Sequence, residues 1–485
     1  MAKPTTSYVC SDCGHAEIRW YGRCPACNAY GTLKEFRGAG AGGRAVRGLG
    51  RGAADQAALR PVPLREIDAA RARRLAVEPA EIARVLGGGL VEGSVVLLGG
   101  EPGVGKSTLL TGLALSWVRH GVRVLYIAGE ESPAQIRLRA ERLGFRPDAE
   151  DGFEILAEVR LELLLDALEG ALGAGAAGTR PTVVIADSVQ TLHADHVDSY
   201  AGSPNQIRHC GAALAELARR HGCPVFLVGH VTKTGDLAGP KLLEHMVDTV
   251  LYFEGSGGGS VRLVRAFKNR FGTTGELAVL EMRADGLVPV DDAGALFLGG
   301  AERSEPGAAV CAVQGGSRIF LVEVQALVAP SRYGTPQRVV QGVDSKRVAL
   351  LAAILEKRAG LDLAGCDIFV KVAGGGRLDD PAADLAILTA IASSLRERPL
   401  PPGTLVLGEV GLTGAVRSAS AEPERLREAS RRGFRRAVCA SAPGGGERPR
   451  PPRGILVQAA ASVEEAVALA LSPAAEQAQA DGGER

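Results

Sequence analysis

Two groups of side chains combine residue type and spacing in a way that suits chemistry. Cys10, Cys13, Cys24 and Cys27 follow the pattern C-x2-C-x10-C-x2-C. Two such knuckles let four thiolates converge tetrahedrally on one Zn2+, and Gly14, Gly22 and Pro25 suit the turns around them. The other five cysteines (Cys210, Cys223, Cys311, Cys366 and Cys439) are scattered. Disulfides are not expected in a reducing compartment, which turns the cluster toward metal, with redox or incidental cysteines as the alternative. Residues 1–36 are too few for a stable core, so metal would supply the folding energy.

The second group is Gly100, Glu101, Pro102, Gly103, Val104, Gly105, Lys106 and Ser107, followed by Thr108, which satisfies G-x-x-x-x-G-K-[ST]. Glycines let main-chain N–H groups curl around phosphates at a helix N-terminus. Lys106 would reach the β- and γ-phosphates and Ser107 would ligate Mg2+, so the pattern predicts binding of a nucleoside triphosphate. Asp187, at the end of TVVIADS, is a second expected Mg2+ ligand, since a carboxylate there sits at the sheet's carboxyl edge. Glu130 and Glu131 end RVLYIAGEE, where a carboxylate can orient or deprotonate the attacking water. An acid beside Ser132-Pro133 can equally be a helix cap. His230 ends PVFLVGH, within reach of a γ-phosphate or as a mere polar terminus.

These residues need elements to hold them. SVVLLGG, RVLYIAGE, TVVIADS, CPVFLVGH and DTVLYFEG are short apolar runs separated by stretches of helical spacing. That alternation predicts an α/β fold, a mostly parallel sheet covered by helices. A second α/β pattern runs from Ala308 to about Leu471, with strands near AVCAVQ, IFLVEVQALV, DIFVKVAG and TLVLGEV and helices near Val348–Arg358 and Ala383–Leu395. The expected organisation is a cysteine unit at 1–36, a linker at 37–60, an ATPase domain at 61–295, a second α/β domain at 296–470 and a disordered tail at 471–485.

Composition narrows the functional classes. The 485 residues exceed one compact core, and 46% apolar residues suffice to fill several. Fifty-six basic and 55 acidic residues leave a net charge of +1, so nucleic-acid affinity must come from a local patch. No apolar run is long enough to span a bilayer, and Met1–Val9 lacks the apolar core of a signal peptide. The chain therefore reads as soluble and cytoplasmic, with no membrane partner.

The phosphate loop with strand-end Asp187 and Glu130/Glu131 resembles the RecA-type ATPase core. Together with the leading cysteine unit, the run GHVTKTGDLAGPKLLEHMVDTVLYFEG and the motif Lys268-Asn269-Arg270-Phe271-Gly272, it resembles the bacterial RadA (Sms) DNA-repair family. The C-terminal third resembles a Lon-protease-type domain, as in that family. The resemblance implies a DNA-dependent ATPase of homologous recombination that uses ATP, Mg2+ and Zn2+. It implies a hexameric ring that moves on single-stranded DNA and drives branch migration alongside the RecA recombinase. Lys268 and Arg270 carry over as charges reaching a neighbouring subunit's γ-phosphate. The loops after the Asp187 and His230 strands carry over as DNA-facing, which places Arg208, Lys233 and Lys241 near the strand.

The Lon-like part departs from an active protease, which needs a serine activated by a lysine. The serine's place, judged from DDPAADLAILTAIASSL, falls on Ala382, and the lysine's place falls near Pro423, with Arg425 the nearest cation. Alanine has no nucleophile and arginine does not deprotonate. The expected role of this domain is ring building, with a basic surface through Lys346, Arg347, Lys357, Arg358, Lys371 and Arg377. The rival functions are an ATP-dependent protease and a RecA-like ATPase acting on a protein.

Overall fold

The computed structural model describes residues 6–10, 16–17, 19–25, 30–31, 33–37, 63–66, 73–148, 150–173, 180–230, 240–255, 259–290, 292, 294, 297–299, 305–332, 334, 336–442 and 451–473. The expected linker at 37–60 and tail at 471–485 therefore fall almost wholly outside the described residues. The chain divides into two compact units. The first comprises Met1–Glu254, Val264–Thr274 and Arg283–Leu287; the second comprises Gly255–Leu263, Gly275–Met282 and Val288–Arg485.

In the first unit six strands run parallel, in the spatial order Phe153–Leu156, Arg123–Ala128, Thr182–Asp187, Val225–His230, Val95–Gly100 and Thr249–Gly255. Every residue of the Val95–Gly100 strand is buried, which is why the run is continuously apolar where a one-faced strand would alternate. Val95, Leu97, Leu125, Ile127, Val184 and Leu227 form one core face with Leu164 and Leu168 of the helix Leu161–Gly173 and Leu214 of the helix Pro204–His221. Local signals fix the helix ends. Ser132 and Gln135 form a capping box, Ser203 accepts from the Gln206 N–H, and Gly222 closes the long helix with φ 64°. Each N-cap is worth about 1 kcal/mol.

The cysteine unit contributes a three-stranded antiparallel sheet with Thr6–Cys10 between Ala16–Glu17 and Leu33–Arg37.

The second unit holds a seven-stranded mixed sheet in the order Arg338–Gln341, Cys366–Val372, Arg318–Pro330, Ala308–Gly315, Thr404–Leu407, Arg436–Ala440 and Leu456–Ala460. The helix Asp384–Leu395 is buried from Asp384 through Ser393. That burial explains its nearly uniform apolar sequence, and its Leu385, Ile387 and Ile391 join Val324, Leu351 and Val467 in the core. The α/β class holds throughout.

The strands Val261–Asn269, Leu277–Arg283 and Gly286–Pro289 follow as a meander that the sequence reading did not separate.

Candidate functional site: a phosphate loop facing strand-end carboxylates

The phosphate loop joins the strand Val95–Gly100 to the helix Lys106–Arg119. Gly103 and Gly105 take φ of 77° and 112°, conformations that a side chain disfavours. A Cβ on Gly100 would stand 2.5 Å from the Phe253 carbonyl oxygen, so the strand spacing itself demands glycine there.

The Lys106 side chain is almost fully buried, and its ammonium donates to the Gly100 and Glu101 carbonyls at 2.9 and 3.0 Å. Its third contact is His230 Nδ1 at 3.0 Å. An ammonium cannot accept, so Nδ1 is the acceptor and the ring proton sits on Nε2. That nitrogen lies 2.8 Å from Glu130 Oε1 and donates to it. Ser188 donates to the same oxygen, and Glu130 Oε2 has no hydrogen bond among the described residues. The His230 hydrogen bond, foremost, holds the Glu130 carboxyl below the usual carboxylate range. Burial pushes the Lys106 ammonium down, opposed by the charges of Asp187 and Glu130. The arrangement keeps Glu130 ionised, with one oxygen fixed and one open to a water.

Asp187 is 7% exposed and receives the hydroxyl of Tyr126 on Oδ2. Burial, and then Asp187, push that hydroxyl well above its usual value, so it remains a donor. Oδ1 has no hydrogen bond among the described residues, and Ser107 sits on the first turn of the helix with its hydroxyl uncommitted there. These donors fit a hard divalent cation, and the loop fits a nucleotide's phosphates. Bound Mg2+ would supply charge neutralisation at the phosphates.

The two adjacent glutamates separate in role: Glu131 pairs with Arg139 of the next helix and Glu130 faces the loop. Gln190 also belongs to the site. Its Oε1 accepts from the His230 N–H at 3.1 Å and its amide donates to the His230 carbonyl at 3.3 Å. Neither Gln190 nor Tyr126 emerged from sequence reasoning. A lone hydroxyl inside the apolar run RVLYIA was the available signal for Tyr126; Gln190 offered none.

In the signature motif, the Lys268 ammonium donates to the Glu244 and Val247 carbonyls at 2.6 and 2.8 Å. Asn269 donates to Val85 O at 3.1 Å and accepts from the Phe271 N–H at 2.9 Å. Arg270 is more than half exposed and reaches Asp248 Oδ1 at 3.1 Å. Arg74 holds the Phe271 carbonyl at 3.1 Å, and a Cβ on Gly272 would stand 2.5 Å from Gly87 Cα. Arg208 is exposed on the helix Pro204–His221. Lys241 lies in the short helix Pro240–Leu243, its side chain outside the described residues, as is all of Lys233.

Among the cysteines, Cys24 is fully buried and Cys10 ends a strand, whereas Cys13 and Cys27 lie outside the described residues.

In the second unit Ala382 is 2% exposed and packs with Leu405, Leu407 and Leu426. Its N–H donates to Asp380 Oδ1 at 3.0 Å. Pro423 lies in the first turn of the helix Glu422–Arg431. Arg425, wholly buried, donates to Asp380 Oδ2 at 2.7 Å and to the Ser420 carbonyl at 2.7 Å. Arg347, grouped above with a basic surface, turns inward instead: it bonds Asp384 at 2.6 Å and the Asp380 carbonyl at 2.7 Å. Lys346, Lys357, Arg358, Lys371 and Arg377 are exposed.

Among the described residues, no helix is long and apolar enough to cross a membrane.

Comparison with known proteins finds relatives along nearly the whole chain. A family model described as an AAA domain matches residues 60–236, and one described as a rubredoxin metal binding domain matches residues 8–35. The first implies an ATPase that uses ATP and Mg2+, and the second a metal-binding segment suited to Zn2+. The DNA repair protein RadA of Bacillus subtilis is 42% identical over 473 residues, covering 97% of this chain and 100% of the relative. That of Pseudomonas aeruginosa is 43% identical over 469 residues (96% and 99%), and that of Brucella abortus 44% over 442 residues (90% and 92%). With matches to an AAA domain and to a metal binding domain, and with this identity along nearly its whole length, the chain belongs to the RadA family of DNA repair proteins.

Proposed function

We propose that the chain is a DNA-dependent ATPase of homologous recombination. It forms a ring, a hexamer by resemblance, that moves on single-stranded DNA and processes recombination intermediates by branch migration. Its partners are single-stranded and branched DNA and the RecA recombinase, and it works in the cytoplasm. The observation that carries the reading is the Lys106–His230–Glu130 chain of contacts, at 3.0 and 2.8 Å. It connects the phosphate-binding lysine to His230, the last residue of its strand, after which the resemblance implies a DNA-facing segment. Cations such as Arg208, Lys233 and Lys241 suit phosphate contacts that read no sequence. Arg270, exposed and weakly held, is the charge offered to a neighbouring γ-phosphate.

The C-terminal domain is Lon-like and has no peptidase activity. Ala382 is buried in apolar contacts, and Arg425 is fixed on Asp380 beside it, which supports assembly and not proteolysis as its task.

The test is ATP turnover with and without single-stranded DNA, run beside casein degradation. Stimulation by DNA and no peptide release is the expected result. Turnover indifferent to DNA would replace this reading with an ATPase acting on protein.

A further inference from the structure

We propose that the cysteine unit carries, around its second knuckle, a stacking surface for single-stranded nucleic acid, made by Trp20, Tyr21 and Tyr30 together with Arg23. The surface is separate from the nucleotide site and from the cations assigned above to DNA, and it does not rest on the DNA-dependent ATPase reading.

The knuckle turns its aromatics outward. Trp20, Tyr21 and Tyr30 are 57%, 45% and 76% exposed, whereas Cys24, next to Arg23, is fully buried. A short antiparallel clip sets the surface: Arg23 bridges Tyr30, and the Gly31 N–H donates to the Gly22 carbonyl at 2.9 Å. The Arg23 guanidinium lies over the Tyr30 ring, 5.2 Å from its centre. The Trp20 ring lies along the same clip, since a Cβ on Gly22 would stand 3.8 Å from it. The chain has two tryptophans, and the other, Trp117, is 1% exposed in the core. Three exposed rings on so small a unit form a patch that folding alone does not explain.

Chemistry selects the occupant. Aromatic faces beside a guanidinium plane take unpaired bases by stacking, which tolerates any sequence because every base has a π-face. A duplex hides those faces, so the ligand is single-stranded. Charge points the same way. Residues 1–60 hold nine lysines and arginines against four aspartates and glutamates, while the whole chain nets only +1. Glu17 and Glu35 both pair in register with Tyr8 of the three-stranded sheet, outside the clip. An apolar protein face would cover the rings but leave this local positive charge without a counterpart.

The test uses the full chain, purified without chelator, and a thymidine oligonucleotide of about 16 nucleotides. Tryptophan fluorescence should fall on titration, and the fall should vanish in Trp20→Phe, because Trp117 is sealed in the core. In Tyr30→Ala the midpoint of the fall should rise about fivefold to a hundredfold with an unchanged salt slope, since stacking is lost and charge is not. Tyr30→Phe, which keeps the ring, should hold the midpoint within about twofold. Arg23→Gln should lower the salt slope by about one. Native mass spectrometry showing unchanged metal content in each variant confirms that the unit stays folded. No fall in the wild type, or an unmoved midpoint in Tyr30→Ala, overturns the proposal and leaves the patch to a protein partner. DNA-stimulated ATP turnover without the fluorescence change would keep the ATPase reading and remove this site; the fluorescence change with turnover indifferent to DNA would do the reverse.

Discussion

Arg425 Nη1 lies 2.7 Å from Asp380 Oδ2, and the other oxygen of that carboxylate takes the N–H of Ala382. Ala382, which by resemblance takes the place of a protease nucleophile, is thus tied to a buried ion pair. Removing one partner of such a pair strands the other charge, so Arg425→Ala should destabilise the second unit by about 3–5 kcal/mol in denaturant titration. Ala382→Ser should create no peptidase activity, because its hydroxyl would enter an apolar cluster whose adjacent carboxylate, Asp380, is held by Arg425, a cation that does not deprotonate. Casein cleavage by that variant would show the site to be more open than described.

Lys106→Ala should abolish ATP hydrolysis and weaken nucleotide binding strongly, since it removes the loop's fixed cation. Glu130→Gln should retain binding and lose about 10²–10⁴ in turnover, the usual range for a general base. Isothermal titration with a non-hydrolysable analogue, beside phosphate-release assays, separates the two. Equal loss of binding in both variants would remove Glu130 from catalysis.

The pH profile carries a sign. Glu130 is held below the usual carboxylate range, chiefly by His230. Its ionised form therefore persists as pH falls past the ordinary carboxylate value, and activity is lost only in more acid solution. His230→Ala deletes the principal cause, and the acid limb of kcat should move up toward that ordinary value. A limb that stays in place would mean another group sets it.

Native mass spectrometry should find one Zn2+ per chain, lost in Cys10→Ser or Cys24→Ser. Structural zinc supplies about 10–16 kcal/mol in small fingers, so residues 1–36 should lose order while the ATPase unit stays folded. Metal-free protein from a chelator-free preparation would contradict this.

Gly272→Ala places a methyl 2.5 Å from Gly87 Cα, main chain against main chain, with no flexible group to yield. Overpacking of this kind costs about 1–3 kcal/mol, visible as a lower midpoint in thermal unfolding. An unchanged midpoint would mean that the Gly87 turn shifts freely.

The phosphate loop was legible because its chemistry is local: consecutive residues, one turn, one helix start. The strands SVVLLGG, TVVIADS and CPVFLVGH were legible because burial on both faces leaves an apolar run. Gln190 was not, since its role is to clasp the main chain of His230, and any main chain can be clasped. The inward turn of Arg347 was equally hidden. A charge run on a helix reads as solvated until the helix Asp384–Leu395 brings its own carboxylate underneath. The meander after residue 260 escaped because its strands alternate charge with apolar residues, as in VRLVRAFKN, and carry no helical punctuation between them.

The parallel order of the first sheet has a kinetic corollary. Glu130 and His230 stand a hundred residues apart in the chain, one just after the strand Arg123–Ala128 and the other ending a strand two places away in the sheet, beyond the Asp187 strand. Their contact forms only after several long crossovers have closed, the slow class of folding event. A newly made or damaged chain therefore cannot assemble this nucleotide site early, whatever the phosphate loop does by itself. Nucleotide at a hundred times its Kd then stabilises finished molecules by about 2.7 kcal/mol and leaves unfinished ones unaided. Nucleotide binding thus stabilises only those chains in which the sheet is complete.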